Sequence, residues 1–326
     1  MPSGPIRKTR KSLSGLYLDL VWGAWAELGV SGWPQTHRSW AIDPEPLIIA
    51  TSNLEDEDPR LRDEATDWCI RYSRLVSKVR LRNLLREQPA EVAESFGEFA
   101  ATVNFWAKTT WPGATIERRY TPPGRSKLPE LDSPALLSLR MKGIFGIGAR
   151  TQILLALLSV PYSCLSVARL ADMTGYTKRN VAEECESLQS AGVLNVTQLS
   201  NRFYYSLRRR GELAALVDPL PEVFPDWDAV FQVAGALVDL EKEARTVDAS
   251  VIDVHARKTL DSIPAAIQRL QIAGPQSDER GRVPWTRLSS WAEDVLGDWA
   301  KGRWPACEEV PRVRHIRRSE TSVLSG

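Results

Sequence analysis

The sequence predicts a mainly α-helical protein with one short β-hairpin near its middle. Three observations predict it. Apolar residues recur at three- and four-residue spacing through most of the chain, as helices that bury one face require. Two segments open with a cap followed by proline, Asp43-Pro44 and Asp58-Pro59, which sets an Asp side chain over open backbone N–H groups and Pro at the first helical position. The twelve tryptophans fall seven between Trp22 and Trp111 and five between Trp227 and Trp304, with none in the interval, so the middle is a module of different character.

The elements follow in order. Leu16, Leu18, Leu20, Val21, Trp22, Trp25 and Leu28 predict a first helix. Leu47 to Ile49 follow Asp43-Pro44, and Leu61, Ala65, Trp68 and Tyr72 follow Asp58-Pro59. Helices over Val79–Arg86 and Glu91–Phe105 complete a helical N-terminal domain, 1–108. Residues 109–134 lose periodicity and carry Trp-Pro-Gly, Pro122-Pro123-Gly124 and Lys-Leu-Pro, which reads as a linker or surface loop. Beyond the middle module, Val230–Leu240, Val251–Ile272 and Trp285–Trp299 predict a helical C-terminal domain, 212–310, and Pro264 should kink or divide its second helix. Residues 311–326 form a basic tail.

The middle module, 135–211, carries the functional reading. A helix with Ile153, Leu154, Leu157 and Leu158 precedes Pro161. Ser166 then caps VARLADM, Thr174-Gly175-Tyr176 makes a turn, and Thr177 caps a helix from Lys178 to Ala191 that Gly192 ends. Ala171, Gly175 and Val181 have helix-turn-helix spacing: a small residue for close approach, Gly for a positive φ, and a branched residue packing back. Leu170, Tyr176, Cys185 and Leu188 complete the expected core. Two β-rich runs, Val193–Gln198 and Phe203–Leu207, flank a polar turn as a hairpin wing does.

With LADMTGYTKRNVAEECESLQSAGVL followed by RFYYSL, the module resembles the winged helix-turn-helix of bacterial transcription regulators. That resemblance implies that the helix starting at Lys178 enters the DNA major groove and the wing touches the backbone or minor groove. Thr177, Lys178, Arg179 and Asn180 then stand at the leading end of the recognition helix, Arg202 in the wing turn, and Arg208, Arg209 and Arg210 as phosphate contacts after it. Glu183, Glu184 and Glu186 lie on the same helix and depart from a purely basic face. More weakly, the architecture resembles AbiEi-type antitoxin regulators, in which the winged helix is usually N-terminal; here residues 1–134 precede it.

Other features read as structure. Cys69, Cys164, Cys185 and Cys307 show no paired spacing, and His37, His255 and His315 are isolated, so neither a metal site nor a Cys-His nucleophile is indicated. Gly143, Gly146 and Gly148 lack the phosphate-loop spacing and read as a flexible entry to the next helix, with Arg140, Lys142 and Arg150 as added phosphate contacts. Glu55–Asp58 reads as an acidic loop before a capped helix rather than a metal site. Trp33, Trp40 and Trp111 are candidate exposed anchors for a partner.

The formal net charge is +1, but residues 140–211 carry 10 basic and 4 acidic groups, whereas 212–310 carry 10 and 18. Near-neutrality is thus a cancellation between a basic middle and an acidic C-terminal region. The expected protein is a cytoplasmic, non-enzymatic, sequence-specific transcriptional regulator without cofactor or membrane association. Its expected partners are double-stranded DNA, a second copy in a homodimer, and a protein at the acidic C-terminal region. The alternative is a protein-interaction adaptor using the winged helix and Trp-bearing helical surfaces.

Overall fold

The computed structural model describes residues 11–305 except residue 55 and residues 161–163. Cys307, His315, Pro161, Glu55 and the basic tail lie outside the described residues. The protein is mainly helical with one small antiparallel sheet, as the sequence predicts. Among the described residues no helix is long and apolar enough to cross a membrane.

The N-terminal stretch forms α1 (Leu13–Glu27), α2 (Pro44–Ser52), α3 (Pro59–Tyr72), α4 (Lys78–Leu85) and α5 (Ala90–Ala107). Asp58 caps α3 as expected, accepting from the Leu61 N–H at 3.0 Å, and also accepts from Trp22 Nε1 at 2.7 Å. Asp43 does not cap α2 with its side chain. A stronger competitor, the Arg80 guanidinium, takes both of its oxygens at 2.5 Å.

The C-terminal stretch forms α11 (Trp227–Ala244), α12 (Ala249–Ser262), α13 (Pro264–Leu270) and α14 (Trp285–Trp299). Pro264 divides the expected long helix by starting α13 at its first position, where its missing N–H costs no helical hydrogen bond.

The expected N- and C-terminal domains share one hydrophobic core. It takes Leu20, Trp25, Leu47, Ile48 and Trp68 from the first stretch and Val230, Val233, Leu237, Leu296 and Trp299 from the second. Helix α1 packs on α11 and α14, and α2 packs on α11. Neither set could exclude water alone, because the apolar face of each is the lid of the other. His37 sits at the seam, edge-on to Trp40 and Trp227, with its Nε2 2.8 Å from the Trp299 carbonyl and its N–H donating to Glu27.

Residues 109–134 are irregular but are not a free linker. The Asp67 carboxylate accepts the N–H groups of Gly124 and Ser126, each at 2.8 Å, and the Tyr120 hydroxyl donates to the Asp63 carbonyl at 2.8 Å. Trp111 is buried against Phe96 and Phe99. The segment is strapped along α3 and α5 because its polar backbone finds acceptors there rather than in a ladder of its own.

A second core belongs to the middle module: α6 (Leu137–Phe145), α7 (Ala149–Ser159), β1 (Leu165–Ser166), α8 (Val167–Thr174), α9 (Lys178–Ser190), β2 (Leu194–Leu199), β3 (Arg202–Leu207) and α10 (Arg210–Leu216). Leu170, Tyr176, Val181, Cys185 and Leu188 are all buried in it, as their spacing predicts. The sheet runs β1-β3-β2, with Leu165 opposite Tyr205 and Leu194 opposite Leu207. Sequence reading missed β1 and α10: β1 is two residues long and α10 seven, too short to display a period. Helix α6 joins the cores. Leu139, with Ala135 and Leu136 just before the helix, enters the body core, while Leu137 and Met141 enter that of the module.

Two outcomes follow. A fragment of residues 1–211 leaves the body core uncovered, so it should lack the near-UV circular dichroism of the full chain and be degraded rapidly by trypsin; native-like protection would contradict the shared core. Burial lowers the His37 pKa to about 4, against the ordinary value near 6.5, so the folded state binds fewer protons than the unfolded state between those values. Stability should therefore fall as pH drops from 6.5 to 4, and urea titrations should find a shallower fall in His37→Gln.

Candidate nucleic-acid interface

The helix-turn-helix is built by local rules. The Ser166 hydroxyl accepts from the Arg169 N–H at the start of α8. Gly175 takes φ 68°, and its N–H donates to the Ala171 carbonyl at 3.0 Å, which ends α8. Thr177 caps α9, its hydroxyl accepting from the Asn180 N–H at 3.3 Å and donating to Asn180 Oδ1 at 2.5 Å.

Thr177, Lys178, Arg179 and Asn180 are all exposed and contiguous at the leading end of α9. Lys178 has no side-chain partner among the described residues. Arg179 donates to Glu183 at 2.9 Å one turn later, which raises its already high pKa. Glu184 accepts from Arg150 at 3.0 Å. Two of the three carboxylates on α9 are thus neutralised within the module, and Glu186 is exposed.

The remaining expected contacts divide. Arg202 is exposed at the tip of the β2–β3 hairpin, opposite Leu199. Arg208 is exposed, and Arg209 is exposed and pairs with Glu212 at 3.4 Å. Arg210 is different: its guanidinium donates to the Leu158 carbonyl at 2.7 Å, and its Nε is buried. It satisfies the end of α7 and is not presented to a ligand.

Arg140 and Lys142 likewise turn inward. The Arg140 guanidinium donates to the carbonyls of Val217, Pro219, Ser133 and Leu131. Lys142 is buried, its Nζ 2.6 Å from Glu45 and 3.1 Å from the Leu75 carbonyl. Arg150 is the one of the three that stays exposed. Around Gly143, Gly146 and Gly148 the space is open, and Ile144 and Ile147 beside them are exposed.

The module is joined to the helical body by a buried set of charged and polar contacts. Glu45 of α2 accepts from Lys142 of α6, from Arg80 of α4 at 2.9 Å and from the Ser77 N–H at 2.7 Å. Burial opposes its ionisation, but Lys142 and Arg80 outweigh burial and hold its pKa down at about 2. Arg80 Nε also donates to the Thr174 carbonyl at 2.7 Å, Asn83 Nδ2 to the Gly175 carbonyl at 3.1 Å, and the Ser77 and Tyr176 hydroxyls meet at 2.7 Å. Every residue of the Thr174-Gly175-Tyr176 turn therefore touches α4 or its cap. A Cβ on Gly175 would stand 3.1 Å from the end of the Leu84 side chain, a tight contact that adds to the preference for glycine set by its positive φ.

The other sequence candidates resolve into structure. Trp40 and Trp111 are buried and Trp33 stacks on Trp22, so none of them is an exposed anchor. Among the described residues, the exposed aromatic side chains that sequence reading missed are Phe105 and Trp106 at the end of α5 and Phe203 on β3. Of the acidic loop, Asp58 is a cap and Glu57 pairs with Lys242. The Cys185 thiol is pushed up to about 12 by burial, with Glu184 and Glu186 adding to it, so it is no nucleophile at neutral pH.

Comparison of the chain with protein-family models, with curated proteins and with solved structures finds no match among any of them.

Arg80→Ala leaves Glu45 and Asp43 short of a buried cation. It should cost about 3–5 kcal/mol of stability at pH 7, the range for breaking a buried ion pair, as measured by urea unfolding. A loss below about 1 kcal/mol would mean that the contact between module and body does not depend on this arginine.

Proposed function

We propose that the chain is a sequence-specific transcriptional regulator that binds double-stranded DNA through its middle module, with α9 in the major groove and the β2–β3 hairpin as the wing. The observation that carries the reading is the contiguous exposed set Thr177, Lys178, Arg179 and Asn180 at the start of a capped helix, with exposed Arg202 at the hairpin tip. Lys178 and Arg179 supply phosphate or guanine contacts, and the Asn180 amide suits an adenine edge. Arg202, Arg208 and Arg209 supply backbone contacts, whereas Arg210 is left out of the interface because it is engaged with Leu158. The proposed protein works without a cofactor or enzymatic activity, as a homodimer in the cytoplasm. Its acidic C-terminal region is open to a protein partner, and an AbiEi-type antitoxin role is a narrower variant of the same reading.

Replacing Lys178, Arg179 and Arg202 by Ala should weaken binding of a DNA duplex and flatten its salt dependence, by about 0.9 in slope for each phosphate that is no longer neutralised. Affinity and salt slope equal to those of the unaltered chain in a gel-shift series would overturn the DNA reading.

One observation favours a second reading, the protein-interaction adaptor. Leu199 is 59% and Phe203 50% exposed near the wing tip, two apolar side chains left uncovered opposite Arg202 and Gln198 respectively. A protein complex that survives Lys178→Ala and is abolished by Phe203→Ala would support that reading over the first.

A further inference from the structure

We infer that the helical body is itself part of the DNA interface, with Arg86 at the end of α4 taking a backbone phosphate beside the one proposed for Lys178. The inference rests on the DNA reading above.

Its geometric basis is a cleft of about 1250 Å3 between body and module. Asn83 and Arg86 of α4 line it together with Arg169 of α8 and Thr177 and Lys178 at the start of α9. Asn83 and Arg86 are three residues apart and so share one face of the helical turn. Asn83 already touches the Gly175 carbonyl, two residues before the cap of the recognition helix. Arg86 is therefore the next side chain along the face that abuts the turn. The buried contacts of Glu45, Arg80 and Tyr176 fix that arrangement, so Arg86 and Lys178 do not depend on a chance alignment of two tethered units.

The charges lining the cleft fall into two classes. Arg80 is engaged by Asp43 and Glu45, and Arg269 by Asp226 and Asp228. Arg86, Arg169 and Lys178 are exposed and have no side-chain partner among the described residues, and the same is true of two carboxylates, Glu87 and Asp172. Asp226 and Asp228 both face the single Arg269, so over the whole lining five cations meet five carboxylates and the cleft is neutral. It holds no free polyanion by itself, and a phosphodiester contact here is local, made by the exposed Arg86 at the edge of an interface centred on α9. The body thus adds affinity and sets the angle at which the duplex lies, whereas base reading stays with α9.

The test uses the full chain and a fluorescently labelled duplex of mixed sequence, with affinity measured by anisotropy from about 50 to 200 mM salt. Arg86→Ala should lower the salt slope by about 0.9, Arg86→Glu should weaken binding further, and Arg86→Lys should keep the slope. The exposed Arg86 side chain makes no hydrogen bond or ion pair among the described residues, so its variants should keep the far-UV circular dichroism and unfolding midpoint of the unaltered chain. If Lys178→Ala lowers the slope and the Arg86 variants do not, the body lies outside the interface and the DNA reading stands. If the unaltered chain fails to bind the duplex, or if neither Lys178→Ala nor the Arg86 variants change the slope, both the reading and the inference fall.

Discussion

Glu45 lies wholly buried between Arg80 and Lys142, and three helices meet on its carboxylate: its own α2, α4 and α6. Placing this charge in an apolar surround is expensive, and two cations and the Ser77 N–H offset that expense only with their geometry intact. An ion group of this kind adds little net stability over a well-packed apolar substitute. Its physical effect is selectivity: only one placement of α6 and α4 satisfies all of its partners. Arg80 then carries the same constraint outward, because its Nε holds the carbonyl of Thr174 in the helix-turn-helix.

That constraint changes what kind of object the middle module is. An interval flanked by a strapped segment and a short connection would swing freely if its two neighbours were independent domains. Instead, the chain leaves a core built from both ends, passes along α6, forms the module, and returns where the Ala41 N–H meets the Val223 carbonyl at 2.9 Å. The module is an insertion into one helical body. Helix α6 makes the continuity mechanical, since neighbouring side chains on it belong to different cores.

Much of the module was legible in the sequence because its rules are local. Ser166, Gly175, Thr177 and Gly192 each act within a few residues of themselves, on caps and turns, and all four stand where their chemistry places them. Val181, Cys185 and Leu188 share an inward face by helical period alone. The arginines were less legible. Arg140 and Arg210 look like surface cations in the sequence, yet carbonyls distant along the chain take their guanidinium groups. Asp43 looks like a cap for the same reason; nothing within four residues of it announces Arg80.

The sequence by itself therefore determined the helical class, the capped helix-turn-helix, the hairpin after it and the exposed leading end Thr177–Asn180, because hydrogen bonds and periodicity over a few residues decide each of these. Only the tertiary structure decided which cations remain available, that the helices on either side of the module form one core, and that α4 lies against the turn. Those outcomes depend on pairs such as Glu45 with Lys142 or Trp40 with Trp227, far apart along the chain and joined by burial. Sequence spacing carries no record of such pairs, because burial and charge compensation are properties of the space that the whole chain encloses.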